Sequence, residues 1–516
     1  MSKRVLIIGG GTAGWITAGY LAQRLAADLP GGAQVTVVES PAIGILGVGE
    51  GTFPTIRRTL STIGIGEAEL IQRCGATFKH GNRFVQWREF PGLAPRDYYF
   101  HGFQAPQPEG GLELLPYWLL GAAGDCGWDD AATPQKAAAD AFRAPKMASN
   151  PDYRGPLNYA FHFDAVALAG LLRDHAVANG VSHLTDTVTE VMVGDEGVMG
   201  VRTAANGVLD ADLYIDCTGF AAELIGKALG VPFRSCRDVL FCGSAVAMQV
   251  PYDAPGGPIA PFTTSTAKPA GWIWDIGLQQ RRGVGHVYSS AHMDDAEAER
   301  VLRQHVGTRA KAIDTRCFRF DAGYRETGWF KNCVAIGLSG AFFEPLEATG
   351  IIFTEIAAAL LANLFPWGGE FETSARQFNA LMRRRYERAL DFIKLHYCLS
   401  SRRDSDFWID NVRSESVPDS LHELLDRWRF RPPNELDIDP NVDIFPEASW
   451  QFVLYGMGWR TDLSARAGSL RFHDEARAAF RRIQAQGEHA VRMLPSNRDL
   501  VTHALTGSFG VQGAAA

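Results

Sequence analysis

The chain has 516 residues, 46% of them hydrophobic and 21% charged, with a formal net charge of -8. That is an ordinary folded-protein composition with room for more than one lobe. The excess of acid argues against nucleic acid as a partner, because a phosphate backbone calls for a basic face, and no apolar run is long enough to span a membrane.

Eight cysteines are scattered without a CxxC pair, and the first strand begins too early to leave room for a signal peptide. Reduced thiols and a cytoplasmic location are therefore expected. No metal site is expected, there is no internal repeat, and the only low-complexity tract is the tail Gly510 to Ala516.

The first element is the β-branched run Val5-Leu6-Ile7-Ile8, which leads into Gly9-Gly10-Gly11-Thr12-Ala13-Gly14 and a helix from Trp15 to Leu25. Strand, GxGxxG turn and helix N-terminus form the arrangement that holds a pyrophosphate, so the chain reads as α/β with a Rossmann-like dinucleotide-binding core. Gly9 permits the tight turn, Gly11 lets the diphosphate approach, and Gly14 lets the helix pack close to the strand. A second strand, Val35 to Val38, ends in Glu39, whose carboxylate is placed to accept hydrogen bonds from a ribose. In the loop Gly44 to Pro54, Gly47, Gly49 and Gly51 fall at alternate positions, leaving a backbone that side chains do not obstruct. That loop suits either a planar ligand or a plain surface turn.

The segment Ile63 to Phe84 holds Phe78-Lys79-His80. Taken alone, a lysine there reads as a solvated surface residue unless a partner elsewhere says otherwise. The aromatic cluster Tyr98 to Phe103, with His101 inside it, suits a core or a stacking surface. Tyr159 to Phe163 is extended, and the spacing of Leu168, Leu171 and Leu172 fits a helix after it. Residues 181–201 alternate like strands about the turn Gly194 to Gly197, with Val188 in the first of them. The strand in Ala211 to Phe220 fits the sheet begun at Val5, so the dinucleotide fold is expected to gather distant segments.

Gly271-Trp272-Ile273-Trp274-Asp275-Ile276-Gly277 reads as a strand, which puts Trp272 and Trp274 on one face. They serve either as core packing or as an aromatic wall that shields a reactive ligand. Cys333 to Gly340 repeats the strand-to-loop pattern, and Glu344-Pro345-Leu346-Glu347-Ala348-Thr349-Gly350 leads into an apolar helix, Ile351 to Leu364. Amides at Thr349 and Gly350 suit an anion or the electron-rich edge of a flavin, and Glu347 suits either a cap or catalysis. Helical patterns cover Ala375 to Leu399, Ser420 to Trp428 and Asp474 to Met493. The boundaries expected are a domain over 1–370 and a helical lobe over 371–516.

Together GGGTAG, GVGEGT, Lys79 after Phe78, WIWDI, EPLEATGI, the stretch Ile393 to Tyr397 and the stretch Asp404 to Trp408 resemble the flavin-dependent tryptophan halogenase family. The resemblance runs from the N-terminus to about Trp408 and more loosely beyond. It implies an FAD-binding, flavoprotein monooxygenase-type fold and a two-component enzyme. A separate flavin reductase would supply FADH2, and oxygen and a halide, chloride or bromide, would give hypohalous acid that passes to Lys79. Lys79 becomes a catalytic residue, polarising the oxidant as an ammonium or carrying the halogen as a haloamine; Glu347 would orient the oxidant and stabilise or deprotonate the cationic intermediate. Thr349 and Gly350 match the halide site. Leu338 and Ile351 match positions beside the flavin, with Gly9, Gly11, Thr12, Ala13, Gly14, Glu39, Gly49, Val188, Trp272 and Trp274 as further cofactor positions.

Three departures bear on the substrate. Gly277 stands where the tryptophan motif usually ends in proline, and Ala348 where serine is common. The stretch Asn434 to Trp459, with Asp437, Asp439, Asp443 and Glu447, lacks the tyrosine-rich acidic pattern that clasps the amino acid backbone in tryptophan-specific members. A free indole or another small electron-rich aromatic is therefore expected, sandwiched by His101 and Phe103. The rival readings are a single-component flavin-dependent aromatic monooxygenase and a non-catalytic flavin-binding protein.

Overall fold

The computed structural model describes residues 3–44, 47, 49–93, 97–108 and 110–507. Ile45, Leu46 and Val48 of the glycine loop, and the tail Gly510 to Ala516, lie outside the described residues. The chain forms two compact units that interleave along the sequence. The first comprises Met1–Gly75, Phe163–Arg237 and Phe320–Glu387, and the second Ala76–His162, Asp238–Arg319 and Arg388–Ala516.

The first unit is built on a six-stranded sheet ordered Trp329–Phe330, Cys333–Ala335, Leu213–Asp216, Arg4–Ile8, Gln34–Glu39 and Ser182–Thr185. Only the edge pair Trp329–Phe330 with Cys333–Ala335 is antiparallel. Val5 to Ile8 are all buried, as a continuous apolar run must be in a parallel sheet covered on both faces. Val5 pairs with both Leu213 and Val35, so the gathering of distant segments expected from the sequence is what the sheet does.

The helix Thr12–Arg24 packs against the helices Ala165–Ala178 and Thr349–Asn363. Asp164 caps the second of these, its carboxylate accepting from the backbone N–H groups of Val166 and Ala167. Strands Val188–Gly194, Gly197–Thr203 and Gly207–Leu209 form a separate antiparallel sheet. Val188 and Val191 of that sheet pack against a core of Leu6, Ile8, Val38 and Tyr214.

The second unit is built on a seven-stranded sheet ordered Arg316–Arg319, Ser244–Pro251, Arg281–Tyr288, Gly271–Gly277, Thr263–Lys268, Gly81–Val85 and Tyr98–Gly102. Its neighbours are antiparallel except Thr263–Lys268 with Gly81–Val85. Val246, Met248, Ile273 and Val284 meet Ala298 and Leu302 of the helix Asp295–Val306 in one core.

Beyond residue 371 the chain is helical, with Glu372–Cys398, Asp406–Asn411, Asp419–Trp428, Glu447–Gly456, His473–Met493 and Asn497–Leu505. Among the described residues no helix is long and apolar enough to cross a membrane, and no group of three metal-ligating side chains forms.

Candidate active site

The first unit carries the glycine turn. Strand Arg4–Ile8 ends at Gly9, whose φ of 112° is left-handed and whose added Cβ would lie 2.3 Å from the Cys217 carbonyl oxygen. A Cβ on Gly14 would lie 1.9 Å from the Gly9 oxygen, whereas on Gly11 it would meet nothing within 4 Å. Gly9 and Gly14 are thus demanded by packing, and Gly11 faces open space. The helix Thr12–Arg24 begins there without a side-chain cap, leaving its first N–H groups for a bound anion.

Ala13 and Gly337 approach so closely that a Cβ on Gly337 would stand 2.6 Å from that of Ala13. Thr12 Oγ1 lies 3.5 Å from the Ala165 carbonyl oxygen. Glu39 ends its strand with Oε2 3.0 Å from His183 Nε2, and Gly49 is buried at a φ of 98°. A cradle packed at Gly9 and Gly14 and open at Gly11 fits a dinucleotide diphosphate.

Farther along the same unit, Cys333–Ala335 runs into a tight turn holding Leu338, and then to Glu344 and Glu347, both fully buried. Ala348 adopts the left-handed conformation at φ 53° and starts the helix Thr349–Asn363. Thr349 is buried, and its hydroxyl has no hydrogen-bond partner among the described residues. A Cβ on Gly350 would meet nothing within 4 Å, and Ile351 follows half-buried. Uncapped N–H groups and a buried hydroxyl at one helix start are chemistry suited to a small anion.

Two turns on, the carboxylate of Glu355 accepts from Thr59 Oγ1 at 2.6 Å and from Thr55 Oγ1 at 3.3 Å, and burial pushes its pKa up to about 8. Sequence reading missed this group, because a lone glutamate inside an apolar helix has no motif around it.

Lys79 lies in the second unit, on the strand Thr77–Lys79 paired antiparallel with Ala160–Phe163, directly opposite Ala160. Alternation sends Phe78 to one face, where it meets Tyr159 and Phe161 at 5.6 Å, and Thr77 and Lys79 to the other. Lys79 is 0% exposed, so the solvated-surface reading of an isolated lysine is wrong. The strand is covered on both faces, and the isolated residue type carries no sign of that. Its Nζ lies 5.4 Å from the centroid of the Phe103 ring.

Phe103 is held by its backbone: its N–H donates to the His80 carbonyl at 2.9 Å, and its own carbonyl accepts from Asn158 Nδ2 at 2.8 Å. His80 is locked between the Arg143 carbonyl and Gln135, and burial pulls its pKa down to about 4.

His101 is fully buried, its Nε2 2.8 Å from Ser449 Oγ and its ring 5.8 Å from Phe392 and 6.3 Å from Phe452. Trp272 and Trp274 occupy the expected strand with ring centroids 6.3 Å apart. Trp272 joins an aromatic cluster through Trp87, which also meets Tyr397 and Trp408. Trp274 fills the space above Gly285, where a Cβ would lie 2.2 Å from the indole. Gly277 ends the strand, and its carbonyl accepts from Thr77 Oγ1 at 2.6 Å.

The acids of the stretch 434–459 have structural partners. Asp437 binds Arg431 at 2.6 Å, and Asp443 binds Arg388 at 2.6 Å. Glu447 accepts from Gln451 Nε2, and burial, with Glu113 nearby, pushes its pKa up to about 7. Ser449 sits in the helix Glu447–Gly456, which the sequence reading left out. That helix is buried from Ala448 to Tyr455, so it lacks the amphipathic period that marks a surface helix. The available signal was Pro446 followed by Glu447 at a helix start.

The expected residues thus divide between the units. Gly9, Gly11, Thr12, Ala13, Gly14, Glu39, Gly49, Val188, Leu338, Glu347, Thr349, Gly350 and Ile351 belong to the first, and Lys79, His101, Phe103, Trp272 and Trp274 to the second.

The family model described as tryptophan halogenase matches residues 4–470. A tryptophan 6-halogenase of Streptomyces toxytricini is 36% identical over 515 residues, 96% of each chain. Among solved structures, a tryptophan halogenase from Shewanella frigidimarina superposes with a TM-score of 0.94 at 37% identity, covering 99% of both chains. A flavin-dependent halogenase from a Brevundimonas species superposes with a TM-score of 0.86 at 33% identity, covering 98% of this chain and 99% of that one. The architecture is the FAD-binding Rossmann-like fold of flavin-dependent halogenases.

Proposed function

The chain belongs to the tryptophan halogenase family, a flavin-dependent enzyme family, and from that premise we propose that it halogenates a free indole or a similarly small electron-rich aromatic with chloride or bromide. FAD, once bound and reduced by a separate flavin reductase, would activate oxygen, the oxidant that turns halide into hypohalous acid. The turn at Gly9, Gly11 and Gly14, with Thr12 and Ala13, holds its diphosphate, and Glu39 its ribose. Gly49, Val188, Trp272, Trp274, Leu338 and Ile351 line the cofactor. Thr349 and Gly350 bind the halide.

Lys79 handles the oxidant: its N–H groups donate to hypohalous acid and make the halogen more electrophilic. Glu347 stabilises the positive charge that develops on the ring and accepts the proton lost when aromaticity returns. Phe103 and His101 hold the substrate ring. The observation that carries the reading is the complete burial of Lys79 with its amine against the face of Phe103. A buried lysine is retained against a desolvation cost, and an aromatic face beside it suits an aromatic substrate.

Mass spectrometry of indole and tryptophan incubated with the enzyme, a flavin reductase, FAD, NADH and either chloride or bromide tests this. A halogenated indole formed in preference to halogenated tryptophan is expected. Hydroxylated products, or products independent of halide, would instead favour an aromatic monooxygenase.

A further inference from the structure

His162 faces the same side of its strand pair as Lys79. Thr77 stands directly opposite His162 and Lys79 opposite Ala160, so Lys79 and His162 are diagonal neighbours on one face. Diagonal positions lie roughly 7–8 Å apart at the backbone, within reach of a lysine side chain. Ala160 leaves the space between them clear, since its side chain ends at Cβ.

His162 is 0% exposed, and its Nε2 lies 2.9 Å from Thr263 Oγ1 on the strand Thr263–Lys268 of the seven-stranded sheet. The other ring nitrogen, Nδ1, has no hydrogen-bond partner among the described residues. A buried nitrogen left open is costly unless something occupies it in the working enzyme. Burial and the positive charge of Lys79 both hold the His162 pKa well below its ordinary value, so the ring is a neutral acceptor rather than a second cation.

We propose that His162 is a positioning residue for Lys79: anchored at Nε2 by Thr263, it offers Nδ1 to the Lys79 ammonium and fixes where the remaining N–H groups point. This rests on Lys79 being the group that handles the oxidant, and it deepens that reading. An ammonium held by a neutral imidazole keeps its protons and works by hydrogen bonding. That geometry favours the route in which Lys79 acts as a hydrogen-bond donor.

The test compares His162→Gln, whose amide reaches the Nε2 end and keeps Thr263, with His162→Asn, whose amide falls near Nδ1. Both are assayed with reductase, FAD, NADH, bromide and indole, alongside a scavenger that reports hypobromous acid released to solution, and the readout is bromoindole formed per hypobromous acid released. His162→Gln should lose about tenfold or more in that ratio, the loss of one charge-assisted hydrogen bond, while melting like the wild type. His162→Asn should stay within about threefold of the wild type.

An unchanged ratio in His162→Gln, or an equal loss in both variants, overturns the assignment. If His162→Gln fails to fold, His162→Leu, which fills the site without offering any acceptor to Lys79, reads the same relation, and an unchanged ratio there overturns it too. Absence of any halogenated product from the wild type would overturn the functional reading and this one with it, an outcome distinct from the others.

Discussion

The side-chain nitrogen of Lys79 stands 5.4 Å from the centroid of the Phe103 ring, and both residues are buried. A cation over an aromatic face gains about 0.5–2 kcal/mol, and a buried ammonium costs more than that to desolvate. The ring contact does not by itself offset that cost, which is what a residue kept for chemistry looks like. Lys79→Met preserves the length of the side chain and removes its charge. The variant should melt at the wild-type temperature or above while halogenated indole disappears from the mass spectrum. Retention of product by Lys79→Met would remove this lysine from the reaction.

His101 gives a second expectation, because its ring is hydrogen-bonded to Ser449 and lies between two phenylalanines. Ser449→Ala leaves the imidazole without that partner and should lower stability by about 1 kcal/mol. If the ring helps hold the substrate, the same change should raise KM for indole with little change in kcat, since it disturbs orientation and leaves Lys79 untouched. A fall in kcat with KM constant would assign His101 to the chemical step instead.

The first unit is legible in the sequence because each of its steps is local: a β-branched run, glycines at fixed offsets and an apolar helix. Strand Leu213–Asp216 was identifiable for the same reason, and its place beside Arg4–Ile8 followed from topology. Of the seven-stranded sheet, Gly271–Gly277 was legible and the long central strands were not. Ser244–Pro251 and Arg281–Tyr288 pair along eight residues each, yet the first is buried almost throughout and the second is interrupted by Gly283 and Gly285, so neither alternates.

Site residues divide in the same way. Lys79 alone reads as a surface residue, and only the family resemblance marked it, since burial arises from strands that lie far off in the chain. His162 and Glu355 carried no motif, and their partners Thr263, Thr55 and Thr59 are recognisable only in space.

Glu355 makes stability depend on pH. Its carboxyl keeps a proton up to about pH 8 in the folded protein, against an ordinary value of 4.5. Between those values the unfolded chain releases a proton that the folded one retains, so its contribution to stability is complete below pH 4.5 and declines as pH rises towards 8. Glu355→Gln is neutral throughout, and the rotatable hydroxyls of Thr55 and Thr59 can serve its amide. Urea unfolding should show the variant near wild type at pH 5 and more stable by on the order of 4 kcal/mol at pH 9. Parallel stability curves across that range would mean that Glu355 ionises normally.

The glycine turn allows binding and folding to be separated within six residues. At Gly14 a methyl group would be driven to 1.9 Å from the Gly9 carbonyl oxygen, a contact between two pieces of backbone that cannot move apart without breaking the strand-to-helix junction. Gly14→Ala should therefore lower the melting temperature sharply or prevent folding. At Gly11 the same methyl group meets no protein atom within 4 Å and needs no unusual backbone angle, because the residue has a φ of -75°. Gly11→Ala should fold as the wild type does.

If the space over Gly11 is where the diphosphate rests, that variant should nevertheless bind FAD more weakly, by about tenfold or more in a fluorescence titration, because the added carbon takes the place of a phosphate oxygen. Normal melting with normal FAD affinity in Gly11→Ala would move the cofactor away from this turn, and a collapse of both would show the turn to be needed for folding alone.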